Sequence, residues 1–579
     1  MSKRTFKIAA ISPKLSVANV SANCDEIINM IKKAKAENAE IIVFPELCVC
    51  GTTCGDLFFQ ELLIEACNNG IRKICQVTRD YNGYIIIGSP IQKDGRLFNC
   101  GLVISNGKVI SNIAKTNLSL EEKRWFADGK KYQNESSAEL PFSLIVGANT
   151  IQNITSDFVI NISAVGCEVT KYKNFINCIK TLGCGYVYAS AGAGESTTDA
   201  VYSGACLIAE NGKILKEGKR FSFQSEMIIS DINIDNCNCN STFNENNCTD
   251  INVNNPHPFI PADKTELAER CEEILAIQST GLAKRMLHTH TQKLVLGISG
   301  GLDSTLALLV AVKTMSKLQY PVENIVCITM PGFGTTDLTY TNACSLVKSL
   351  GATLKEISIK NACIQHFKDI GHDAEFHDVT YENTQARERT QILMDYANKI
   401  GALLVGTGDL SELALGWCTY NGDHMSMYGV NASVPKTLMQ YLVRYVADNS
   451  VENTAKILYS VLDTPISPEL LPPDKNGKME QKTENTLGPY EVHDYFLYHF
   501  IHNGTKPEKL WLSAKQAFKG MYNEDELKRW LEIFLRRFFI SQFKRSCSPD
   551  GPKVGSVSLS PRGAWVMPSD ACFDEWMKF

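Results

Sequence analysis

The stretch KLVLGISGGLDSTLALLVAV at residues 293–312 decides the fold of the second half of this chain. Residues 294–298 have an apolar β-strand pattern, and an apolar helical pattern begins directly after the glycines. Gly300 and Gly301 allow a tight turn and a close approach of the backbone to a ligand. A strand, a glycine-rich turn and a helix N-terminus in this order predict an α/β domain with an anion-binding loop.

The loop carries side chains suited to a phosphate that is bound together with a metal ion. Asp303 would repel a bare phosphate, so it is interpreted as a ligand of a divalent cation such as Mg²⁺. The Walker A pattern GxxxxGK[ST] is absent. The loop resembles the SGGxDS loop of ATP pyrophosphatases, which implies that it binds ATP. The ATP-binding residues expected here are Gly297, Ile298, Ser299, Gly300, Gly301, Leu302, Asp303 and Ser304.

Composition and charge limit the function classes. The chain has 579 residues, 44 % hydrophobic and 21 % charged, which fits an ordinary folded protein of two to four domains. With 58 basic against 63 acidic residues, it lacks the basic surplus of a nucleic-acid or membrane-surface binder. No apolar run is long enough to span a membrane. We expect a cytoplasmic protein whose 21 cysteines are reduced and mostly buried.

The sequence divides at an asparagine-rich segment. Before it, strand patterns such as KIAAIS, IIVFPEL and DFVINIS alternate with helical patterns, which indicates an α/β layered domain. The predicted division is a first domain at 1–235, a linker at 236–261 and a second domain at 262–579. Three linker cysteines lack the paired spacing of a metal site, so a metal role is disfavoured. They are Cys237, Cys239 and Cys248.

The second domain resembles a known family over nearly its whole length. The segments GHDAEFHDVTYENTQARERT, ALLVGTGDLSELALGW and GPKVGSVSLSPRGAWVMPSDA are similar to the synthetase domain of glutamine-dependent NAD synthetases. The resemblance implies a Rossmann-like ATP-pyrophosphatase fold (adenine nucleotide alpha hydrolase-like). An amide-forming SGGxDS ligase that acts on another carboxylate is the alternative, and the first of these segments argues against it.

The resemblance implies roles for particular residues. Thr407 contacts ATP, and Glu412 completes the metal site with Asp303. Asp303, Glu412, Asp423 and Lys436 form the implied catalytic set. Arg387 and Arg389 are divided between substrate contact and structural ion pairs, and a solvated helix face is the alternative. The residues that bind deamido-NAD by this resemblance are Asn383, Glu412, Trp417, Tyr420, Asp423 and Lys553.

The implied chemistry is the last step of NAD biosynthesis. The carboxylate of deamido-NAD attacks the α-phosphorus of ATP and releases pyrophosphate, and ammonia then displaces AMP to give NAD. No protein nucleophile is needed, so the enzyme aligns and neutralises two anionic substrates. The resemblance also implies a homo-oligomer that contains a dimer of synthetase domains.

The first domain resembles the nitrilase-type amidases that release ammonia from glutamine, which implies an αββα sandwich. FPELCVCGTTCGDLF supplies the expected Glu46, and AKTNLSLEEKRWF supplies the expected Lys115. A working site also needs a cysteine thiolate. That cysteine should lie in the strand before NISA (161–164). The strand pattern there, PFSLIVGANTIQ, has no Cys, Ser or Thr at the expected position.

Two interpretations of the first domain follow. The favoured one is a degenerate amidase in which Glu46 and Lys115 are remnants, so that ammonia is used directly and glutamine is a doubtful substrate. Val165 and Lys171, where the family has serine and arginine, agree with it. The other is an active glutaminase with a displaced nucleophile, Cys167, which follows NISA and therefore lies on the wrong strand.

Overall fold

The chain folds into two compact units. The computed structural model describes residues 5–132, 135–136, 139–147, 156–237, 253–261, 263–465, 470 and 486–579. The first unit comprises residues 1–196 and 201–250, and the second comprises residues 197–200 and 251–579. The predicted linker cysteines Cys239 and Cys248 lie outside the described residues, as does most of the proline-rich segment 466–485.

The first unit contains two β-sheets. The seven-stranded sheet has the order β12-β1-β2-β3-β4-β5-β6, and the five-stranded sheet has the order β11-β10-β9-β8-β7. The strands are β1 Thr5–Ser12, β2 Ile41–Val43, β3 Tyr84–Lys93, β4 Arg96–Ser105, β5 Lys108–Ala114, β6 Glu135–Ser136, β7 Ser143–Val146, β8 Phe158–Ser163, β9 Gly185–Ser190, β10 Cys206–Glu210, β11 Lys213–Glu217 and β12 Glu226–Asn233.

In the described part of this unit, three helices cover the outer faces of these sheets: α1 Val20–Ala36, α2 Glu61–Val77 and α3 Lys171–Ile179. Alternate residues of a strand point to opposite faces, and β1 shows the result. Ile8 and Ala10 pack into the apolar layer that both sheets share, whereas Ala9 and Ile11 pack with the residues of α1 and α2. A third apolar cluster joins α3 to the five-stranded sheet. The predicted αββα sandwich is therefore confirmed.

One predicted strand is shorter than its sequence pattern. IIVFPEL was expected to be a strand throughout, but β2 ends at Val43. Pro45 has no backbone N–H to donate to a neighbouring strand, so the ladder cannot continue past it. The chain instead turns here, and Glu46 lies just beyond the carboxyl end of the strand with a side chain that is 1 % exposed.

The second unit is built on a five-stranded sheet in which every pairing is parallel. Its order is β15-β14-β13-β16-β17. The chain therefore reverses direction across the sheet between β13 and β16, which is where α/β proteins of this kind bind ligands. The strands are β13 Leu294–Gly297, β14 Ile325–Thr329, β15 Thr353–Glu356, β16 Leu403–Gly406 and β17 Tyr428–Gly429.

Helices pack around this sheet and continue as a helical region at the C-terminal end of the described chain. They are α4 Lys264–His288, α5 Leu302–Leu318, α6 Asp337–Leu350, α7 Lys360–Ile370, α8 Val379–Ile400, α9 Leu410–Leu415, α10 Lys436–Asp448, α11 Glu452–Leu462, α12 Tyr490–His502, α13 Pro507–Ala517, α14 Glu524–Ile540 and α15 Gln542–Arg545. The predicted strand–loop–helix at 293–312 is thus β13, the glycine loop and α5.

The fold agrees with the predicted mixed α/β class in both units. No disulfide joins the cysteines that the structure describes, and most of their thiols are buried. Within the same described ranges, no helix is both long enough and apolar enough to cross a membrane.

Candidate active site

The loops that follow β13 and β16 meet at the point where the chain reverses across the sheet. Gly300 has a φ of +86°, and a Cβ atom on it would collide with the carbonyl of Thr339, so glycine is required there. Asn431, fully buried, donates from Nδ2 to the carbonyls of Asp303 and Thr407, both at 3.1 Å. This one amide joins the predicted phosphate loop to the loop that carries the second half of the site.

Four charged side chains meet between these loops. Lys436 Nζ lies 2.6 Å from Asp303 Oδ1, 2.5 Å from Asp409 Oδ2 and 3.0 Å from Glu412 Oε1. The structure therefore brings three members of the predicted catalytic set together, and it adds Asp409. Sequence reasoning missed Asp409, because an aspartate at this position is typical of a helix N-cap. Asp409 is indeed the N-cap of α9, and its Oδ1 accepts a hydrogen bond from the N–H of Glu412 at 2.9 Å.

Burial and mutual repulsion shift the pKa values of this cluster. Burial raises the pKa of Asp409 to about 7 and that of Glu412 well above its usual value, with Lys436 opposing both changes. Burial also disfavours the charge on Lys436, but the three carboxylates outweigh it and hold the pKa of Lys436 well above its usual range. The lysine therefore stays positively charged among these carboxyl groups.

The cluster fits a divalent cation. Oxygen atoms of Asp303, Asp409 and Glu412 lie within 4.8 Å of one another. Carboxylate oxygens are the ligands that Mg²⁺ prefers. With all three carboxyl groups ionised, the cluster would carry a formal charge of about −2, which a divalent ion would neutralise. The donor set is thus consistent with the predicted metal site.

A cavity of about 790 Å³ opens over the cluster. That volume is in the range of sites that bind small molecules or nucleotides. It is bordered by most of the residues predicted to bind ATP and deamido-NAD, and basic side chains line it as well. Those predicted residues are Gly297, Ile298, Ser299, Gly301, Leu302, Asp303, Ser304, Asn383, Thr407, Glu412, Trp417, Tyr420 and Asp423.

Hydrogen bonds fix one wall of this cavity. Thr419 donates from Oγ1 to Asn383 Oδ1 at 2.7 Å and from its backbone N–H to Asp423 Oδ1 at 2.7 Å. The pKa of the Asp423 carboxyl is raised, chiefly by burial. Two residues predicted to bind deamido-NAD are therefore held through Thr419, which the sequence analysis did not single out.

Of the remaining predicted residues, the two arginines border the cavity and Lys553 does not. Arg387 and Arg389 both line the cavity; their Nε atoms donate at 3.3 Å to the carbonyls of Tyr420 and Met330, respectively. Lys553 is absent from the residues that border the cavity. It lies four residues beyond Pro549, which does border it.

Two cations of the helix α15 support the wall of the cavity that carries Glu412. Arg545, fully buried, donates to the carbonyls of Leu413 and Ala414, both at 3.0 Å. Lys544 Nζ donates to the carbonyls of Gly416 and Cys418 at 2.8 and 2.6 Å. These carbonyls end or follow α9 and would otherwise lack helical partners. The helix α15 thus helps to position the site.

The first unit contains a second charged site. Lys115 follows β5, and its Nζ lies 2.7 Å from Glu46 Oε1 and 2.7 Å from Glu122 Oε1. Asn99 Nδ2 donates to the same Glu46 oxygen at 2.6 Å. Burial disfavours the charge on Lys115, but the two glutamates outweigh it and raise the pKa of Lys115. Sequence reasoning found Glu46 and Lys115 but missed Glu122, seven residues after the lysine.

The residue that follows β7 at this site is Gly147. It has a φ of +96°, and a Cβ atom built on it would come 2.5 Å from Lys115 Cε and 2.9 Å from Lys115 Nζ. A side chain at this position would therefore touch the lysine. Gly147 itself offers no hydroxyl or thiol, and residues 148–155 lie outside the described residues.

Cys167 lies in the segment between β8 and α3. Its side chain is 8 % exposed, and its backbone N–H donates to the carbonyl of Val201 at 2.7 Å. Burial raises the pKa of the neighbouring Tyr202, and Glu195, Glu121, Glu46 and Cys167 add smaller increases in that order. Cys167 follows β8, whereas Gly147 follows β7.

Comparison with known families defines the class of each part. Residues 7–238 match the family model described as "Carbon-nitrogen hydrolase", and residues 274–531 match the model described as "NAD synthase". The chain is therefore a nitrilase-like domain joined to an NAD synthase domain.

Full-length relatives define the family more narrowly. The chain is 32 % identical to a glutamine-dependent NAD(+) synthetase of Mycobacterium leprae, over 99 % of this chain and 97 % of that one. It is 33 % identical to the Mycobacterium tuberculosis protein of the same name, with the same coverage. A crystal structure of such a synthetase from Cytophaga hutchinsonii has a TM-score of 0.79 at 21 % identity, covering 99 % of both chains, and shows the same fold. The chain belongs to the glutamine-dependent NAD(+) synthetase family, and it is an NAD synthetase.

Proposed function

We propose that this NAD synthetase amidates deamido-NAD with ammonia taken directly from solution, and that glutamine is a poor nitrogen donor. One contrast between its two charged sites carries the proposal. In the synthetase cluster, the carboxylates of Asp303, Asp409 and Glu412 all contact Lys436 Nζ. In the amidase-like site, Lys115 faces Gly147, which has no nucleophilic atom.

The proposed reaction has two steps. An oxygen of the deamido-NAD carboxylate attacks the α-phosphorus of ATP, and the bond from that phosphorus to pyrophosphate breaks. Ammonia then attacks the carbonyl carbon of the adenylated acid, loses a proton, and AMP leaves with the oxygen that joined them. The product is the nicotinamide amide of NAD.

The residues of the cavity align these reactants. The backbone of the Ser299–Ser304 loop and the N-terminus of α5 face the ATP phosphates. Lys436 offsets negative charge near them, and Asn383 and Asp423 orient deamido-NAD. Asp303, Asp409 and Glu412 would hold Mg²⁺, which supplies charge neutralisation at the phosphates when bound. Positioning and electrostatics account for the chemistry without a covalent enzyme intermediate.

Glutamine hydrolysis by this fold class depends on a thiolate that attacks the amide. Glu46, Lys115 and Glu122 can move protons and stabilise charge, but none of them replaces that nucleophile. The second candidate is a glutaminase that uses Cys167. The names of the Mycobacterium relatives favour it.

The test is NAD formation at neutral pH with Mg²⁺, ATP, deamido-NAD and either ammonium chloride or glutamine as the sole donor. We expect ammonium to support full turnover and glutamine to support little. Intact-mass analysis after treatment with a diazoketone analogue of glutamine should show no adduct. Comparable rates with both donors, together with an adduct that disappears in Cys167→Ala, would establish the glutaminase instead.

A further inference from the structure

Four residues of the hydrolase-like sequence belong to the second unit. Residues 197–200 lie within the stretch that matches the carbon–nitrogen hydrolase model, yet they pack with residues 251–579. Thr197 is buried, and its Oγ1 donates to the carbonyl of Gly281 at 3.0 Å. The hydroxyl of Tyr428, in β17, donates to the Thr197 carbonyl at 2.9 Å. The segment is therefore fixed against the synthetase sheet.

Asp199 in this segment binds a loop from the far end of the chain. Its carboxylate accepts from Arg562 Nε at 2.9 and 3.0 Å and lies 2.7 Å from Arg562 Nη2. Ser560 Oγ donates to the same carboxylate at 2.6 Å. Bidentate arginine–carboxylate pairs fix geometry as well as charge. Asp199 thus sets the orientation of the Arg562 guanidinium.

Arg562 in turn holds the cavity wall. Its Nη1 donates to the carbonyl of Ser548 at 3.1 Å and its Nη2 to the carbonyl of Pro549 at 3.3 Å, and both residues border the cavity. The same loop, residues 548–553, is also held through its backbone. Gly551 N–H donates to the Thr198 carbonyl and Lys553 N–H to the Asp199 carbonyl, both at 3.0 Å.

We propose that Asp199 is a positioning residue for deamido-NAD binding, acting through Arg562 on loop 548–553. The inference rests on the proposed function in one respect, that this cavity takes deamido-NAD. It extends that function to a residue encoded far from the rest of the site. A segment of the hydrolase-like sequence then has a task in NAD synthesis that is independent of glutamine.

The test uses the full-length enzyme with ammonium as donor, so that glutamine chemistry does not enter. Asp199→Asn keeps the size of the side chain but weakens its bonds to Arg562. We expect the KM for deamido-NAD to rise about fivefold or more while kcat changes less than about twofold, since binding rather than chemistry is affected. Asp199→Glu should restore part of the loss.

Hydrogen exchange of peptides that cover loop 548–553 provides the second measurement. Asp199→Asn should speed exchange there, because a loop with fewer anchors opens more often. The matched control is Asp56→Asn, which breaks a bidentate pair with Arg124 (Nε and Nη2 at 2.8 Å) in the first unit. This control should change neither the KM nor exchange in the loop.

The outcomes separate this inference from the proposed function. Unchanged loop exchange in Asp199→Asn, or faster exchange with an unchanged KM, would overturn the positioning role. If Lys553→Ala leaves the KM unchanged but Asp199→Asn raises it, Asp199 acts through the Ser548–Pro549 wall and the assignment of Lys553 is wrong. Failure of the wild-type enzyme to turn over deamido-NAD with ammonium would refute the proposed function itself.

Discussion

Gly147 lies against the side chain of Lys115, so closely that a Cβ atom at position 147 would come within 2.5 Å of Lys115 Cε. The contact places the residue after β7 at the same charged centre as Glu46 and Glu122. The first unit therefore gathers the charged side chains of Glu46, Lys115 and Glu122 around a position that has no side chain.

This contact makes Gly147 sensitive to substitution. Gly147→Ala should lower the free energy of unfolding by about 1–3 kcal/mol, because alanine adds backbone strain at φ +96° and crowds Lys115. Denaturant titration measures the change. Gly95→Ala is the matched control, because Gly95 also has a positive φ (+70°) but open space around it. Equal losses in the two variants would mean that the contact with Lys115 carries no cost.

The carboxylates of the synthetase cluster should be essential for turnover. Asp303→Asn or Glu412→Gln should lower the rate of pyrophosphate release by orders of magnitude with the fold retained, because each removes an ionised oxygen that would hold Mg²⁺. Circular dichroism checks the fold. Asp395→Asn, an exposed carboxylate on α8, is the control and should keep the wild-type rate. Near-normal activity in either cluster variant would refute the metal assignment.

The role of Lys436 predicts a link between Mg²⁺ and stability. Lys436→Met leaves three crowded carboxylates without their cation, which should destabilise the protein by about 3–5 kcal/mol in the absence of metal. Because the remaining charge is more negative, Mg²⁺ should raise the melting temperature of the variant more than that of the wild type. Thermal unfolding with Mg²⁺ and with EDTA measures both. A smaller Mg²⁺ effect in the variant would contradict this account.

A buried histidine predicts acid sensitivity. His493 is 2 % exposed, its Nε2 lies 2.9 Å from the carbonyl of Leu487, and burial lowers its pKa from 6.5 to about 4. The unfolded chain therefore binds a proton below pH 6.5 that the folded chain refuses until about pH 4, so stability falls as pH falls through this window. The loss from this residue approaches roughly 3 kcal/mol at pH 4, since one pKa unit corresponds to about 1.4 kcal/mol.

The variant His493→Gln isolates this contribution, because glutamine can still donate to the Leu487 carbonyl but does not titrate. Denaturant unfolding between pH 4 and 7 should show a flatter profile for the variant than for the wild type. Parallel profiles would mean that His493 takes up its proton equally in both states.

Much of the fold followed from local pattern. The apolar strand, glycine loop and apolar helix at 293–312 appear in the structure as β13, the loop and α5, because their spacing and turn chemistry are local properties. The pattern IIVFPEL is longer than β2 because its apolar residues continue past Val43, whereas Pro45 has no N–H to donate to the strand ladder. The motifs also sufficed to place Asp303 and Glu412 close after β13 and β16, at one edge of the parallel sheet, where both lie in the first turn of a helix.

The sequence by itself determined which segments form strands and helices and which loops carry chemistry, since backbone propensity and hydrophobic period act over a few residues. Only the tertiary structure decided which distant side chains meet. Packing brings Asp409 to Lys436, Glu122 to Lys115 and Asp199 to Arg562. Such pairs form because strand ends and long connections come together in space. Their members are 7 to 363 residues apart along the chain, and no local sequence pattern indicates which of them meet.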